Sequence, residues 1–413
     1  MGTHHPQHVA PAVTANPPIA VTQKEPAVAL HTIEPWIPEE WDGPVVQKIM
    51  QTSAVEAVAR PEPMGTQTKH VPRSGGMGMD ILGKGDSYTE DANTDDEVLL
   101  TARKFGRAIS LADEDIADTA GLINVLNTKR IDWATAYAKG FDNACLGTVG
   151  AESVAADRPF TSVYQALRTT NSGTSYTADD NYVRSGDSLG AVTFTDTGDI
   201  VTFNQNHGLA VGDRVVFGTI TTTTGVTAGT TYYVITVPSA TTVTVSATAG
   251  GATLALTTNG SSVSCTKLGV TYNSLSRTVG LYEQGDWFDP TDTIVIASPA
   301  FKQYVRDIKD TQGRPIFVAG NQNTPDTLFE YPVKWSLGAR VATAATPAPT
   351  GNPLLVVANR QLLIVGRRSG PESYVADAAS GVGFMTDETK LKVRARRAFA
   401  LGHEKAAAVL EAV

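Results

Sequence analysis

Apolar residues recur at helical spacing through one long stretch of this chain: Ile116, Ile123, Leu126, Ile131, Ala134, Ala138, Phe141 and Cys145. Ser110, with Asp113 three residues on, reads as an N-cap. Asp113, Glu114, Asp115 and Asp118 put negative charge where a helix dipole favours it. Gly147 stands where a left-handed cap belongs. The pattern predicts a helix over 110–147, roughly 50 Å long at 1.5 Å per residue. Gly121, Asn124 and Asn127 weaken its first half, so a kink or break is expected there. A rod of this length, flanked by β-rich stretches, would serve as a spine.

Before the spine the pattern changes several times. Residues 1–43 are rich in proline, show no periodicity and hold Trp36 and Trp41 near their end. They read either as a disordered tail or as an arm that orders only against neighbours, where an exposed Trp finds a partner. A short helix is expected over 44–58, with Pro44 in its first turn, and a strand over 65–71. Residues 73–97 carry Gly75, Gly76, Gly78, Gly83 and Gly85, then the acids Glu90, Asp91, Asp95, Asp96 and Glu97. They read as a hairpin loop projecting from a body. Residues 98–109 return as a strand.

After the spine, 148–190 are polar, with a short helix expected over 159–169. From 191 to 266 charge nearly vanishes and Thr, Val and Gly dominate. Alternating runs at 200–203, 214–217, 232–237 and 242–246, separated by turn residues, predict a small antiparallel barrel or sandwich inserted into a host domain. The host resumes with a helix over 271–282 and a buried strand over 292–297. Ser298 and Pro299 then read as the N-cap and first position of another helix. A strand begins at 331–335, and 354–358 with 361–365 read as a hairpin-like pair. Residues 390–399 alternate, with Lys390, Lys392, Arg394 and Arg396 on one face and Leu391, Val393 and Ala395 on the other. The apolar stretch 406–412 would pair with or cap a sheet.

Composition narrows the function. The 413 residues suffice for two or three domains and a sizeable core. A net charge of −9 argues against a tight nucleic-acid binder, though not against a shell that encloses DNA without gripping it. Cys145 and Cys265 cannot make a disulfide framework, and Cys145 reads as a core residue. No run of 18 apolar residues suggests a membrane span, and no secretory signal is expected, which points to assembly in the cytoplasm.

Candidate chemistry is sparse. Residues 78–85 are a near miss for a phosphate-cradling loop, but Gly85 stands where Ser or Thr should follow Lys84. His403-Glu404 lacks the second His of a metallopeptidase helix. Four of the seven histidines fall within 1–43. No Ser-His-Asp set or nucleophile elbow is evident, so no catalytic, cofactor or metal residues are expected.

The order of elements resembles the major capsid protein of tailed bacteriophages, the Hong Kong 97-type fold. Residues 108–119 look like that family's approach to its spine helix, 294–316 like its axial strand–helix–turn, and 393–400 like its closing basic strand. Residues 327–333 look like its Leu-Gly-x-Pro-Val strand, with Glu330 near where Gly is usual. The resemblance covers about 44–148 and 268–413. It implies an α+β fold with an N-arm (1–43), a peripheral domain (44–147) with an extended loop (73–97), a linker (148–190), an inserted β-domain (191–266), an axial domain (267–388) and closing strands (389–413). It implies a subunit that assembles with itself, as hexamers and pentamers, into an icosahedral shell around double-stranded DNA. Portal and a separate scaffolding or decoration protein would be its partners, with weak non-specific contact to DNA and no membrane. Trp36, Trp41, Lys84, the acids Glu90, Asp91, Asp95 and Asp96, and the bases Lys390, Lys392, Arg394 and Arg396 would lie at assembly interfaces. The competing reading is an adhesin or tail-fibre component whose β-module binds a host surface or glycan. The long spine, the α/β remainder and the lack of repeats speak against it.

Overall fold

A computed structural model describes residues 52–74, 79–90, 96–119, 124–153, 157–222, 225–308, 326–377 and 386–413. The expected arm, with Trp36 and Trp41, and the acids Asp91 and Asp95 lie outside them. Over the described residues the chain is α+β, with many strands and few helices.

Ser53 caps α1 (Ala54–Val58), its Oγ accepting from the Glu56 amide at 3.0 Å. β1 (Arg60–Pro63) follows. β2 (Thr68–Arg73) and β3 (Asp96–Thr101) then pair antiparallel from Thr68↔Thr101 to Arg73↔Asp96, giving the projecting stretch a paired base. The single strand expected over 98–109 is two: β3 ends at Thr101, and β4 (Arg103–Ala112) runs in a different sheet.

The long helix over 110–147 is also two elements. Ser110 does not cap it, because Ser110 is still in β4, paired with Lys390. Tertiary strand pairing outweighs the local cap signal there. α2 (Asp113–Thr119) starts with the acids, and α3 (Val125–Leu146) has its own cap, the Asn124 side chain accepting from the Asn127 amide at 3.0 Å. Gly147 ends α3 at φ −131°, not left-handed as expected. A Cβ there would stand 2.0 Å from the Arg340 carbonyl oxygen, so close approach of two backbones requires the glycine.

α4 (Val163–Leu167) and β5 (Tyr182–Arg184) follow. Next come β6 (Asp187–Thr195), β7 (Ile200–Phe203), β8 (Arg214–Phe217), β9 (Ile220–Thr221), β10 (Thr231–Ser239), β11 (Thr242–Ser246) and β12 (Gly260–Leu268). They pair in the order β6-β7-β11-β10-β8-β12, and β12 pairs back onto β6, closing a small antiparallel barrel with β9 beside β12. The unit spans 187–268, a few residues wider at each end than the alternation indicates, and Asp187 pairs with Lys267 where the chain enters and leaves. Its core is its own: Phe194, Phe203, Phe217, Tyr232, Val234 and neighbours.

α5 (Tyr272–Glu283) opens with a full capping box between Thr271 and Ser274. β13 (Thr293–Ala297) is buried throughout. α6 (Phe301–Asp307) lacks the expected serine cap: Ala300 takes that position, and the buried Ser298 Oγ has no hydrogen-bond partner among the described residues. The last strands are β14 (Thr327–Leu328), β15 (Tyr331–Trp335), β16 (Leu354–Asn359), β17 (Leu363–Ala376), β18 (Glu388–Leu401) and β19 (Ala407–Glu411). β16 and β17 are not a hairpin. β16 lies in a six-stranded sheet, β14-β15-β13-β16-β19-β5, and β17 in a four-stranded sheet, β1-β17-β18-β4. A division at 388/389 therefore cuts one sheet, since β17 and β18 pair along most of their length.

The four-stranded sheet and α3 meet over aromatic side chains. Trp133, Tyr137 and Phe141 stack along α3 at centroid spacings of 5.2 and 5.8 Å, and Phe105 of β4 meets Tyr137 and Phe141 edge-on at 5.9 and 5.8 Å. Each such pair adds about 0.5–1.5 kcal/mol beyond its area. Only the second half of α3 is deeply buried, through Ala138, Phe141, Ala144, Cys145 and Leu146. Its first half stays partly exposed, and a gap of about 260 Å³ opens there beside Trp133, Ile109 and Leu391.

Candidate assembly surfaces

Residues 79–90 carry no helix or strand, only a turn at Lys84 and Gly85. Lys84 is exposed. The described residues 79–90 form no strand–loop–helix unit and offer no phosphate cradle. Its large apolar side chains stand in solvent: Met79 is 86%, Ile81 93% and Tyr88 88% exposed. Sequence reading had singled out the charges here and missed these three.

Internal pairing sorts the acids. Asp96 is bound by Arg73, and its carboxyl is held below the usual range first by the Glu97 amide and then by Arg73. Glu97 meets His70 at 2.8 Å. Asp86 stays exposed but accepts from the Gly83 amide at 2.6 Å. Asp80 and Glu90 are exposed and have no partner among the described residues.

The bases sort in the same way. Lys390, Lys392, Arg394 and Arg396 do share one face of β18, their alternates Leu391, Val393 and Ala395 being buried. Arg394 Nε donates to Glu372 at 2.9 Å and its guanidinium lies 4.9 Å from the Tyr374 ring centre. Tyr374 and then Arg394 hold the Glu372 carboxyl below its usual range. Lys390 meets Glu388 at 3.4 Å, and Lys392 lies over Tyr374 at 5.2 Å. Arg396 forms no ion pair among the described residues, though its charge helps hold the Glu372 carboxyl down, and cations join it. It pairs in register with Lys104, and a cleft of about 260 Å³ is lined by Gln67, Ala102, Arg103, Lys104, Arg368 and Arg396. Lys104 and Arg368 escaped sequence reading, because nothing local says that β4 and the bulge in β17 flank Arg396.

Beneath these surfaces, buried carboxylates lock the elements. Asp142 of α3 is 2% exposed and accepts from Ser53 Oγ at 2.5 Å, the Ala54 and Val55 amides at 2.9 and 3.2 Å, and Ser336 Oγ at 2.6 Å. Burial pushes its carboxyl upward, against all four donors. Glu56 accepts from Arg397 Nε at 2.5 Å and from Tyr137 Oη at 2.9 Å, joining α1, β18 and α3. Glu411 accepts from Tyr164, Tyr182 and Asn352. Cys145 and Cys265 are buried, the thiol of Cys265 being pushed up to about 12. These groups brace the fold.

Residues 287–412 match the model of the Phage capsid family. A solved chain of Mycobacterium phage Bobi is 13% identical, with 92% of this chain and 96% of that chain covered and a TM-score of 0.55. One of Mycobacterium phage Ogopogo is 13% identical, with 93% and 99% covered and a TM-score of 0.55. A capsid of native GTA particle is 12% identical, with 93% and 99% covered and a TM-score of 0.52. No curated protein sequence matches. The class is thus defined: this chain has the fold of capsid chains. Its residues 287–412, which include β13, β15, β16 and β19 of the six-stranded sheet, carry the sequence pattern of the Phage capsid family itself.

Proposed function

We propose that the chain is a major capsid protein of a tailed phage, the subunit that builds the virion shell. The observation that carries this reading is the fold shared with capsid chains over more than nine-tenths of both chains, together with the family match at 287–412. The role is structural, and the buried carboxylates serve packing rather than chemistry.

The finer assignments follow the Hong Kong 97-type plan. The four-stranded sheet with α3 corresponds to the peripheral domain, the six-stranded sheet with α5 and α6 to the axial domain, and 187–268 to an inserted barrel. Subunits form hexamers and pentamers around double-stranded DNA, in the host cytoplasm. A portal and a separate scaffolding or decoration protein complete the particle. The exposed Met79, Ile81 and Tyr88 support a projecting stretch that is covered on assembly.

Negative-stain electron microscopy of the purified full chain, alone and with a co-expressed scaffold, tests the reading. Closed shells, or rings with five- and sixfold symmetry, are the expected result. A monodisperse monomer or trimer under every condition would overturn it.

A further inference from the structure

Among the described residues, two short turns carry the chain between the six-stranded and four-stranded sheets: 360–362 from β16 to β17, and 402–406 from β18 to β19. The Gly402 amide donates to the Leu362 carbonyl at 2.7 Å, which ties one turn to the other. Arg73, at the end of β2, donates to the Gly402 carbonyl at 3.0 Å and fastens the β2–β3 hairpin to the same point. His403 follows at once. Its Nδ1 accepts from the Lys405 amide at 3.1 Å and so caps the single tight turn Glu404–Ala406. A backbone amide only donates, so this Nδ1 carries no proton and the ring is neutral. The ring is 8% exposed and stacks on the Trp287 indole, with 4.6 Å between centres. Trp287 lies in the loop before β13, and its carbonyl accepts from Asn359, the last residue of β16, at 3.1 Å. One imidazole therefore holds the turn between the sheets against a loop of the six-stranded sheet.

The charges around the ring come from four segments. Arg73 of β2 is paired with Asp96 of β3, Asp286 comes from the Trp287 loop, and Glu404 and Lys405 from the turn itself. Glu404 is already engaged by Asn171 Nδ2 at 2.7 Å. Burial, above all, holds the ring's pKa below its ordinary value; Glu404 opposes this, and Arg73 and Lys405 reinforce it. A proton on Nδ1 would set N–H against N–H, remove the cap and place a third cation beside Arg73 and Lys405. A cavity of about 560 Å³ borders His403, Trp287, Arg73 and Lys405, so the turn has space into which to open.

We propose that His403 is a proton-operated latch on the joint between the two sheets: neutral, it keeps 402–406 closed on Trp287, and protonated, it releases the turn while each sheet keeps its own ladder. The proposal concerns contacts within one chain and stands independently of the capsid reading. Opening returns the ring towards its ordinary pKa of about 6.5. The closed turn is thus fully favoured above about pH 6.5 and loses ground as pH falls below it.

Hydrogen exchange of the full-length chain between about pH 8 and pH 5 tests this, with rates corrected for the intrinsic pH dependence of exchange and the state of association followed by sedimentation. Protection of the 404–406 amides should fall below about pH 6.5, by at most about tenfold per pH unit, the slope for one proton. Protection in β13 and β16 should hold. His403→Asn puts an acceptor where Nδ1 stood but does not titrate, so its profile should be flat, at lower protection because the stack is lost. Trp287→Leu leaves the ring titratable and less buried, so the fall should begin at higher pH than in the wild type. A flat wild-type profile would overturn the proposal. So would a wild-type slope in His403→Asn, which would assign the effect to carboxylates such as Asp286 or Glu404. Should His403→Asn fail to fold, an onset unmoved in Trp287→Leu would overturn it equally.

Discussion

Asp142 shows how much one side chain can be asked to hold. It sits in α3, yet three of its four donors belong to Ser53, Ala54 and Val55 at the start of α1, and the fourth is Ser336 beyond β15. A lone carboxylate removed from water is costly, and hydrogen bonds to a charged acceptor contribute about 1.5–3 kcal/mol each at best. Asp142→Asn keeps the shape but turns one acceptor oxygen into a donor that faces other donors. A loss of about 2–4 kcal/mol is expected, read as a drop of several degrees in the unfolding midpoint. A midpoint unchanged within a degree would mean that the three segments are held together by packing alone. Its neighbour Asn143 does related work, donating to the Gly338 and Arg340 carbonyls at 3.0 and 2.7 Å. Neither residue stands out in the sequence, where they interrupt an apolar face between Phe141 and Cys145 with no partner nearby in the chain.

Among the elements, the turn between β14 and β15 carries visible strain. Phe329 and Glu330 both have positive φ, 48° and 73°, in a two-residue connection closed by the Leu328↔Tyr331 pair. Such turns favour Asn-Gly, because a side chain at positive φ costs about 1–2 kcal/mol. Phe329 is compensated by its edge-on contact with Tyr272 at 5.5 Å. Glu330→Gly should therefore raise the unfolding midpoint by a degree or more, while Phe329→Asn should not. Equal gains from both would show that the Tyr272 contact contributes little. The legible elements were those whose signals are local. They include the helix α5 over 271–282, the apolar run of β13, the alternation of β18, and the strands of the barrel. The misread ones depend on remote partners. Ser110 looks like a cap until Lys390 pairs with it, and β16 looks like half of a hairpin until β13 and β19 take both its edges. The cleft was half legible for the same reason: Arg396 was visible, but Lys104 and Arg368 reach it only through register.

For the whole molecule, the barrel is attached at one narrow neck. Asp187 and Lys267 are ladder partners, roughly 5 Å apart at Cα. The barrel's core shares no residue with the cores of the two other sheets. Its ties outward are few, such as Thr271 Oγ1 to Asp187 at 3.1 Å and Arg214 to the Val413 carbonyl at 3.2 Å. Replacing 188–266 with a short Gly-Ser link should leave a chain that folds, with an unfolding midpoint within a few degrees of the parent. An unfolded or aggregated product would show that the barrel belongs to the cooperative core. The two other sheets have a different dependence. β18 is flanked by β17 and β4, and β19 by β16 and β5. Both therefore draw an interior strand from one late stretch, 388–411. While the ribosome is still short of that stretch, β4 and β5 wait without these partners and β16 has only β13 beside it. A nascent chain consequently cannot complete either sheet until 388–411 has been made.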